Sequence, residues 1–305
     1  MRFRIGTILW AFALLAAAMS TFGLLGILCA FLVVLSWALV FERKYPSTEQ
    51  VFFLLILSAI LFFSFVVSSV PFAQSTARHQ ACRTNLEEIG RALLKYQEQF
   101  PLSPENWRAD LLPFLLENSR SSLALSGVAA MAFQCPEDTR SAKNFASYFA
   151  IVDPHSPWTG STNSLAGLPD GPANTILLLE THNHNVAWTS SKNLSFEEAV
   201  EVLCGQNRCH WREGRLLERP TWVCNVLFAD GKVRSLNMPL TREFAVALLT
   251  ADGGEVIDPG EFERLSHPEF DYKKVYALSL FAALLLLPLL KLIGRHKERK
   301  GLAAI

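Results

Sequence analysis

The sequence predicts an α+β domain that apolar helices anchor in a membrane, and three observations carry this prediction. First, three long stretches of the chain contain no charged residue: Gly6 to Phe41, Val51 to Phe72 and Val275 to Leu290. Second, apolar residues recur at spacings of three and four between Ser75 and Phe100, which is typical of an amphipathic helix. Third, short strand-like runs separated by turn residues follow, up to Leu236.

The first charge-free stretch is too long for one membrane span. At a rise of about 1.5 Å per residue, its roughly 36 residues would extend about 54 Å, whereas a bilayer core needs about 20 helical residues. Ser20, Thr21 and Gly23 lie near its midpoint and are suited to a turn. We therefore predict two helices and a short loop over residues 1–50. A third span over 51–100 continues out of the membrane, kinked at Pro71, and a last span with a basic tail covers 275–305.

Basic residues predict the orientation of these spans. They form three clusters, which are Arg2 with Arg4, Arg43 with Lys44, and Arg295 with Lys297, Arg299 and Lys300. If the first stretch is a hairpin, all three clusters lie on one side, which the positive-inside rule makes the cytoplasm. Residues 101–274 then form a soluble domain on the non-cytoplasmic side of the inner membrane. A cleaved signal peptide is the alternative, but the apolar run is too long and shows no small-residue cleavage site.

Charge and cysteine content constrain the partners and the compartment. Lys plus Arg and Asp plus Glu are both 28, so no basic excess indicates nucleic-acid binding. The predicted partners are the lipid bilayer and envelope proteins. Cys29 lies in an apolar segment, and the five other cysteines lie in the domain, where an oxidising compartment allows disulfides. Cys204 and Cys209 could close a small loop, although spacing alone does not fix the pairing.

Local patterns predict the elements of the domain. Cys82, Leu86, Ile89, Leu93 and Tyr96 form the apolar stripe of the first helix, which Pro101 ends. A second short helix is expected over Trp107 to Leu116. Strands are expected at Phe145 to Val152 and Ile176 to Leu179.

The clearest strand signal lies between Trp222 and Leu236. Two apolar-alternating runs flank Asp230 and Gly231, a dipeptide suited to a type I′ hairpin turn, and Val226 and Phe228 are expected in the core. After the hairpin, Thr241 could cap a helix through Leu249 that the pair Gly253 and Gly254 ends.

Several short sequence blocks follow one another in a particular order over about residues 52 to 257. Each block is weak alone, and their order is the informative feature. The blocks are Val70-Pro71-Phe72-Ala73-Gln74, Cys82-Arg83-Thr84-Asn85-Leu86, Ile89-Gly90-Arg91-Ala92-Leu93, Leu111-Leu112-Pro113-Phe114-Leu115, Cys135-Pro136-Glu137-Asp138, Ser147-Tyr148, Asp170-Gly171 with Asn174-Thr175-Ile176-Leu177 and Glu180, Trp188, Leu227-Phe228-Ala229-Asp230-Gly231-Lys232-Val233, and Leu248-Leu249-Thr250-Ala251-Asp252-Gly253-Gly254-Glu255.

Taken in order, these blocks resemble the prepilin-like family of unknown function that is abundant in planctomycetes. The resemblance implies a pilin-like (pseudopilin-like) fold, in which one long N-terminal helix packs on an antiparallel sheet. Two departures limit what it implies for function. The family often has a His ten residues before the Asp of the Asp-Gly turn, where this chain has Pro220. The family also has a processing site and an early Glu in the helix, and the stretch Val51 to Leu54 has neither. We therefore expect an uncleaved chain that stays in the membrane.

Candidate metal ligands occur in two places along the domain, and each also has a simpler interpretation. His182 and His184 alternate, so on a strand both would face one side, as metal ligands can. The segment follows an apolar strand and is rich in Asn, so a solvated strand end or loop is the simpler interpretation. Cys204, Cys209 and His210 could bind zinc, but a disulfide competes for the cysteines.

Calcium is a further possible ligand, and catalysis has no support from motifs. Carboxylates at Glu137, Asp138, Asp252 and Glu255 adjoin turn residues and could hold calcium. No nucleophile elbow, phosphate loop, zinc-protease helix or kinase motif is present. The sequence thus favours a non-enzymatic, membrane-anchored scaffold of an envelope or secretion-related assembly. The alternative is a metal-dependent enzyme or sensor that uses His182, His184 and nearby carboxylates.

Overall fold

The computed structural model describes residues 5–42, 77–116, 131–138, 144–159, 164–182, 184–205, 209–214, 217–255 and 257–302. These residues form a mixture of helices and strands, which agrees with the predicted α+β class. They cluster into two compact units. The first contains described residues of Met1–Pro71, Arg215–Arg219 and Glu269–Ile305, and the second contains those of Phe72–Gly214 and Pro220–Pro268.

The first unit contains a helical hairpin, as predicted from the length of the first apolar stretch. Helices α1 (Ile5–Phe22) and α2 (Leu25–Glu42) are joined at Gly23, whose φ of 61° favours glycine. A Cβ atom at Gly26 would lie 2.2 Å from the carbonyl oxygen of Ala18, so the two helices approach closely only because residue 26 is glycine. By length and composition, Ile5–Phe22 could cross a membrane, and Leu25–Ala38 is a shorter apolar helix. The predicted span at 51–72 lies outside the described residues.

The last helix of the chain, α9 (Tyr272–Leu302), packs against this hairpin. The indole Nε1 of Trp10 donates a hydrogen bond to the carbonyl oxygen of Leu284 at 2.8 Å. Residue 288 is proline and has no N–H group, so it cannot donate to that carbonyl within the helix. Trp10 therefore supplies the donor that Pro288 removes. The indole Nε1 of Trp37 also donates a hydrogen bond to this helix, to the carbonyl oxygen of Leu285 at 3.1 Å.

The second unit begins with the predicted amphipathic helix. Among the described residues, α3 covers 77–97, and its stripe of Leu86, Ile89 and Leu93 is completely buried. The helix expected over 107–116 is instead two short ones, α4 (Trp107–Asp110) and α5 (Leu112–Leu116). The interruption falls where Pro113 lacks the N–H that a continuous helix would need.

Six strands form the sheet. They are β1 (Tyr148–Val152), β2 (Ile176–Glu180), β3 (Leu194–Ser195), β4 (His210–Arg212), β5 (Thr221–Phe228) and β6 (Val233–Met238). Neighbouring strands pair in the order β3-β1-β2-β5-β4, with β6 also on β5. All pairs are antiparallel except β1 with β3. The strand expected to begin at Phe145 begins at Tyr148, and Phe145 makes only an isolated bridge to Ala187.

The pairing of β5 places two strands end to end. Trp222 pairs with Trp211 of β4 and with Met238 of β6, so β4 and β6 lie on opposite edges of β5. Val226 pairs with Leu179 of β2 and also with β6. Strands β2 and β4 therefore share one edge of β5, and the end of β2 meets the start of β4.

The hairpin between β5 and β6 is confirmed, but its turn is not type I′. Gly231 has a φ of 77°, whereas Asp230 does not have the positive φ that a type I′ turn requires. The N–H of Gly231 donates to Phe228, and the N–H of Phe228 donates to Lys232. This pattern matches the three-residue loop in which a turn is followed by a left-handed glycine. Val226 and Phe228 are buried in the core, as predicted.

Helices cover both faces of the sheet. Helix α3 packs on one face, against Leu178, Leu227 and Val233. The other face carries α6 (Phe196–Cys204) and α7 (Arg242–Leu249), and the ring of Phe262 in α8 (Pro259–Ser266) contacts that of Phe228.

The cap and the last residue predicted for α7 are both confirmed, but the glycine pair does not end the helix. The Thr241 side chain accepts a hydrogen bond from the N–H of Phe244, so Thr241 caps the helix as expected. The helix ends at Leu249, because the next residue, Thr250, is already in an extended conformation. The glycines instead form the following turn, in which the N–H groups of Gly253 and Gly254 donate to Asp170.

Candidate functional site

The junction of β2 and β4 holds a buried charged cluster. Glu180 is the last residue of β2 and His210 is the first residue of β4, and both side chains are almost completely inaccessible to solvent. Glu180 Oε2 lies 2.8 Å from His210 Nε2. On its other side, His210 Nδ1 lies 2.6 Å from Oε2 of Glu137, a residue of the loop that follows Cys135. The imidazole of His210 is therefore held between two carboxylates.

This geometry fixes the protonation of His210. A hydrogen bond to each carboxylate requires a proton on each ring nitrogen, so His210 is an imidazolium. Burial opposes that charge, but the negative charge of Glu180 and the hydrogen bond to Glu137 raise the pKa of His210 to about 10. Burial likewise opposes the charge on Glu180, yet the charge of His210 holds the pKa of this carboxyl below its ordinary value. The pair is ionised at neutral pH.

A polar chain of side chains connects Glu180 to α3. Asn225 Nδ2 donates to Glu180 Oε2 at 2.7 Å. The other end of the amide, Asn225 Oδ1, lies 2.7 Å from Ser235 Oγ and 2.8 Å from His79 Nε2. Burial and the charge of His210 lower the pKa of His79, so its ring is neutral and its Nε2–H donates to Asn225. Residues on α3, β2, β4, β5 and β6 thus meet in one network.

Two buried atoms of this cluster lack a hydrogen-bond partner within the described chain. They are Glu180 Oε1 and His182 Nε2. The two atoms lie 3.7 Å apart, which is too far for a hydrogen bond. The His182 ring also stands edge-on to that of His210, with centroids 5.0 Å apart. The Glu180 carboxylate therefore lies beside the imidazoles of both His182 and His210.

The structure corrects the predicted disulfide. Cys82 of α3 bonds to Cys135, whereas Cys204 and Cys209, the pair predicted to close a loop, are free. Cys209 directly precedes β4 and Cys224 lies on β5, and the Sγ atoms of both approach the Glu180 carbonyl oxygen, at 3.6 and 3.0 Å. Cys204 and Cys209 are not in the convergent ligand group that contains His210 among the described residues, and the Cys209 thiol is instead directed at this carbonyl.

The paired His182 and His184 are not ligands on one strand face. Strand β2 ends at Glu180, so the alternation that would have aligned the two rings stops before them. His182 joins the charged cluster, whereas the His184 ring packs near Phe149, with centroids 5.2 Å apart. Only His182 of the predicted pair contributes to the site.

The predicted calcium ligands do not converge. Asp252 Oδ1 lies 3.0 Å from His155 Nδ1, and Glu255 accepts a hydrogen bond from Thr250. Within the described ranges, the group in which at least three His, Cys, Asp or Glu ligand atoms come within 4.8 Å of one another comprises Cys82, Cys135, Glu180 and His210. Neither Asp252 nor Glu255 belongs to it.

The sequence contained all members of the cluster but no signal that joined them. Glu180 appeared only as the end of a resemblance block, and His210 only as a neighbour of Cys209. The Cys135-Pro136-Glu137 loop was interpreted as a turn. Their meeting depends on two strands sharing one edge of β5, which no local pattern encodes.

Comparison with known proteins adds no identification. No family model matches this chain, and no curated protein or solved structure matches it. What is established is therefore a class of architecture, a mixed α+β domain and an apolar helical unit, together with the geometry of its buried cluster.

Proposed function

We propose that this protein is a non-enzymatic, membrane-anchored scaffold that presents a pilin-like domain on the non-cytoplasmic side of the inner membrane, as part of an envelope or secretion-related assembly. The observation that carries the proposal is the packing of α3. Its buried stripe covers one face of a largely antiparallel sheet, which is the arrangement implied by the prepilin-like resemblance. The apolar hairpin α1–α2 and the apolar first half of α9 supply the anchors.

The charged cluster supports a structural role within this proposal. Its main ion pair is buried and mutually compensated, and its members come from the helix and from four strands. Such a network fixes the position of α3 on the sheet. An enzyme would instead need reacting groups that a substrate can reach.

The topology can be tested with a reporter enzyme that is active only in the cytoplasm. A fusion after Gln99 should be inactive, because the positive-inside rule puts this point outside, whereas a fusion after Lys300 should be active. Strong activity of the Gln99 fusion would contradict the proposed orientation. The Lys300 fusion controls for expression.

The scaffold role can be tested by crosslinking in the native membrane. We expect the intact chain to be linked reproducibly to other envelope proteins, since a scaffold acts through contacts. Mass analysis should find no mature N-terminus between Tyr45 and Leu54, and sheared filaments should lack the protein. Recovery in filaments would show instead that it assembles as a pilin subunit.

A further inference from the structure

We propose that Cys209 and Cys224 are a redox modification site, at which a disulfide oxidant joins the two thiols into a second disulfide of the domain. The observation that carries the proposal is the position of the two sulfurs. Both thiols donate to one atom, the carbonyl oxygen of Glu180, at 3.6 Å from Cys209 Sγ and 3.0 Å from Cys224 Sγ. Both cysteines are free, so the structure shows the reduced form of the site.

The backbone places the two cysteines at the spacing of a disulfide. In the antiparallel pair of β4 and β5, His210 is the partner of Val223. One step back from His210 and one step on from Val223, the same register sets Cys209 against Cys224. Residues opposite each other in an antiparallel pair have Cα atoms about 4.5 or 5.5 Å apart. Disulfides span Cα separations of about 4.4–6.8 Å, so side-chain rotation can close the bond with little movement of either strand.

The two thiols also contact each other. Both lie in the core cluster beneath α6 and α7, on the face of the sheet that α3 does not cover. Burial, and then the hydrogen bond with Cys209, raise the pKa of Cys224 well above its ordinary value. Cys224 is therefore a thiol at neutral pH, and its sulfur lies beside that of Cys209.

The competing partner for Cys209 is Cys204, which is nearer along the chain. Cys204 is the last residue of α6, is partly exposed and packs at the margin of the same core cluster. Within the part of the chain that the structure describes, the sulfurs that donate to the Glu180 carbonyl are those of Cys209 and Cys224. The contacts therefore favour Cys224 as the partner, against the order of the sequence.

Closing the bond is a thiol–disulfide exchange that moves two electrons to the oxidant. The Cys209 thiolate attacks one sulfur of the oxidant's disulfide, whose S–S bond breaks and whose other sulfur leaves as a thiolate. The Cys224 thiolate then attacks Cys209 Sγ and displaces the second oxidant thiolate. The two protons lost by the cysteines end on the oxidant, which becomes two thiols.

Cys209 is the point of entry for the oxidant. It keeps 5% exposure, whereas Cys224 has none. The compartment proposed above contains disulfide oxidants, and the experiment below supplies its own. Its result therefore does not depend on the membrane orientation.

The second disulfide would hold the charged cluster in place. Cys209 directly precedes His210, so a bond to Cys224 keeps the start of β4 on β5 and the imidazole against Glu180. The disulfide already present has the corresponding position on the other face of the sheet, where it ends two residues before Glu137. The two residues that contact the His210 ring from β2 and from the loop would then both lie beside a covalent bond.

The test equilibrates the full chain, in detergent, with glutathione buffers of increasing disulfide content and stops the exchange with acid. Differential alkylation before and after reduction gives the oxidised fraction of each cysteine, and an unreduced digest gives the crosslinks. Trypsin cuts after Arg208, so Cys204 and Cys209 fall in different peptides. We expect a crosslink between peptides 209–212 and 216–232, with its two cysteines oxidised in step.

Variants at the third thiol of this face provide the control. Cys204→Ala should form the same crosslink at the same glutathione ratio as the parent. Adding Cys224→Ala to this variant should leave Cys209 without a partner in the protein. Circular dichroism and retention of the Cys82–Cys135 bond verify the fold of each variant.

Thermal melts of parent samples that differ only at this pair measure its effect on the fold. The oxidised form should melt roughly 5–10 °C higher, because the bond constrains the unfolded chain. Three results would overturn the proposal. They are a crosslink of Cys209 to Cys204, two thiols that persist across the whole buffer series, and a Cys209–Cys224 crosslink that leaves the melting temperature unchanged.

Discussion

Glu180 and His210 are buried charges whose contribution depends on each other. Removing either partner of such a pair leaves an uncompensated charge and typically costs about 3–5 kcal/mol, although replacing both by apolar groups can be neutral. The network therefore gives the domain a specific arrangement more than a large net stability. It requires β2, β4 and β5 to keep one register, since a shift of one residue would turn Glu180 to the opposite face.

We expect the Cys82–Cys135 disulfide to contribute strongly to the stability of the domain. It closes a loop with a sequence separation of 53, and loop-closure entropy for that length corresponds to about 4 kcal/mol. We expect the double change Cys82→Ala and Cys135→Ala to lower the free energy of unfolding by about 2–4 kcal/mol, measured by urea denaturation in detergent. Changing Cys204→Ala is the control and should have little effect, because this thiol is free and partly exposed. Equal stability of the double variant and the parent would show that the bond does not form.

We expect Glu198, in the first turn of α6, to make a pH-dependent contribution to stability. Glu198 accepts hydrogen bonds from the Ser195 N–H and hydroxyl, and the backbone bond lowers the pKa of this carboxyl below its usual value. Because the pKa is lower in the folded state, the carboxylate stabilises the fold at pH values above its unfolded-state pKa of about 4.3. This stabilisation is lost as the pH falls through the folded-state pKa. Glu198→Gln should therefore reduce stability at pH 7 by less than about 1 kcal/mol and have little effect at pH 3. If thermal melts show the same loss of stability in Glu198→Gln, relative to the parent, at pH 7 and at pH 3, a charge effect is excluded.

Elements with a strong local signal could be predicted from the sequence, and the site could not. The stripe of α3 and the Asp230-Gly231 hairpin follow from patterns within a few residues, and both are present. Closeness in sequence makes Cys204 and Cys209 a candidate disulfide pair without fixing the connectivity, whereas the bonded pair, Cys82 and Cys135, joins α3 to a distant loop. Only sheet topology brings such positions together.

We expect the stability of the domain to depend on Gly231, which lies in the hairpin turn of the sheet and beside α3. Gly231 has a φ of 77°, and a Cβ atom there would lie 2.5 Å from Leu94 Cδ1 of α3. Gly231→Val should therefore lower the free energy of unfolding by about 1–3 kcal/mol, mainly from backbone strain at the positive φ, with displacement of the Leu94 side chain adding to it. Gly167→Ala is the control, because its Cβ would meet nothing within 4 Å. Comparable denaturation midpoints for the parent and Gly231→Val would contradict this account of the turn.

The apolar unit joins the two ends of the chain through Trp10 and α9. Helix α1 and helix α9 are more than 240 residues apart, yet the rings of Phe22 and Phe281 meet at 5.5 Å. In the membrane location that we propose for this unit, a carbonyl without a donor is costly, because no water can replace the missing donor. The carbonyl of Leu284 would lack a donor, since Pro288 has no N–H group to offer it. The indole of Trp10 donates to this carbonyl instead.

A double-mutant cycle between Trp10 and Pro288 tests this coupling. Trp10→Phe removes the indole N–H and should destabilise the unit by roughly 1 kcal/mol, the usual scale for hydrogen bonds between membrane helices. In a Pro288→Ala background, residue 288 regains an N–H that can bond to Leu284, so Trp10→Phe should cost only a few tenths of a kcal/mol. The difference is the coupling energy of the pair. A suitable readout is the labelling rate of Cys29, a buried free thiol on α2, followed by peptide mass analysis during heating in detergent. Labelling should start at a lower temperature in Trp10→Phe than in the parent, and this shift should nearly vanish when Pro288 is alanine. Equal shifts in both backgrounds would show that the indole does not replace the donor missing at Pro288.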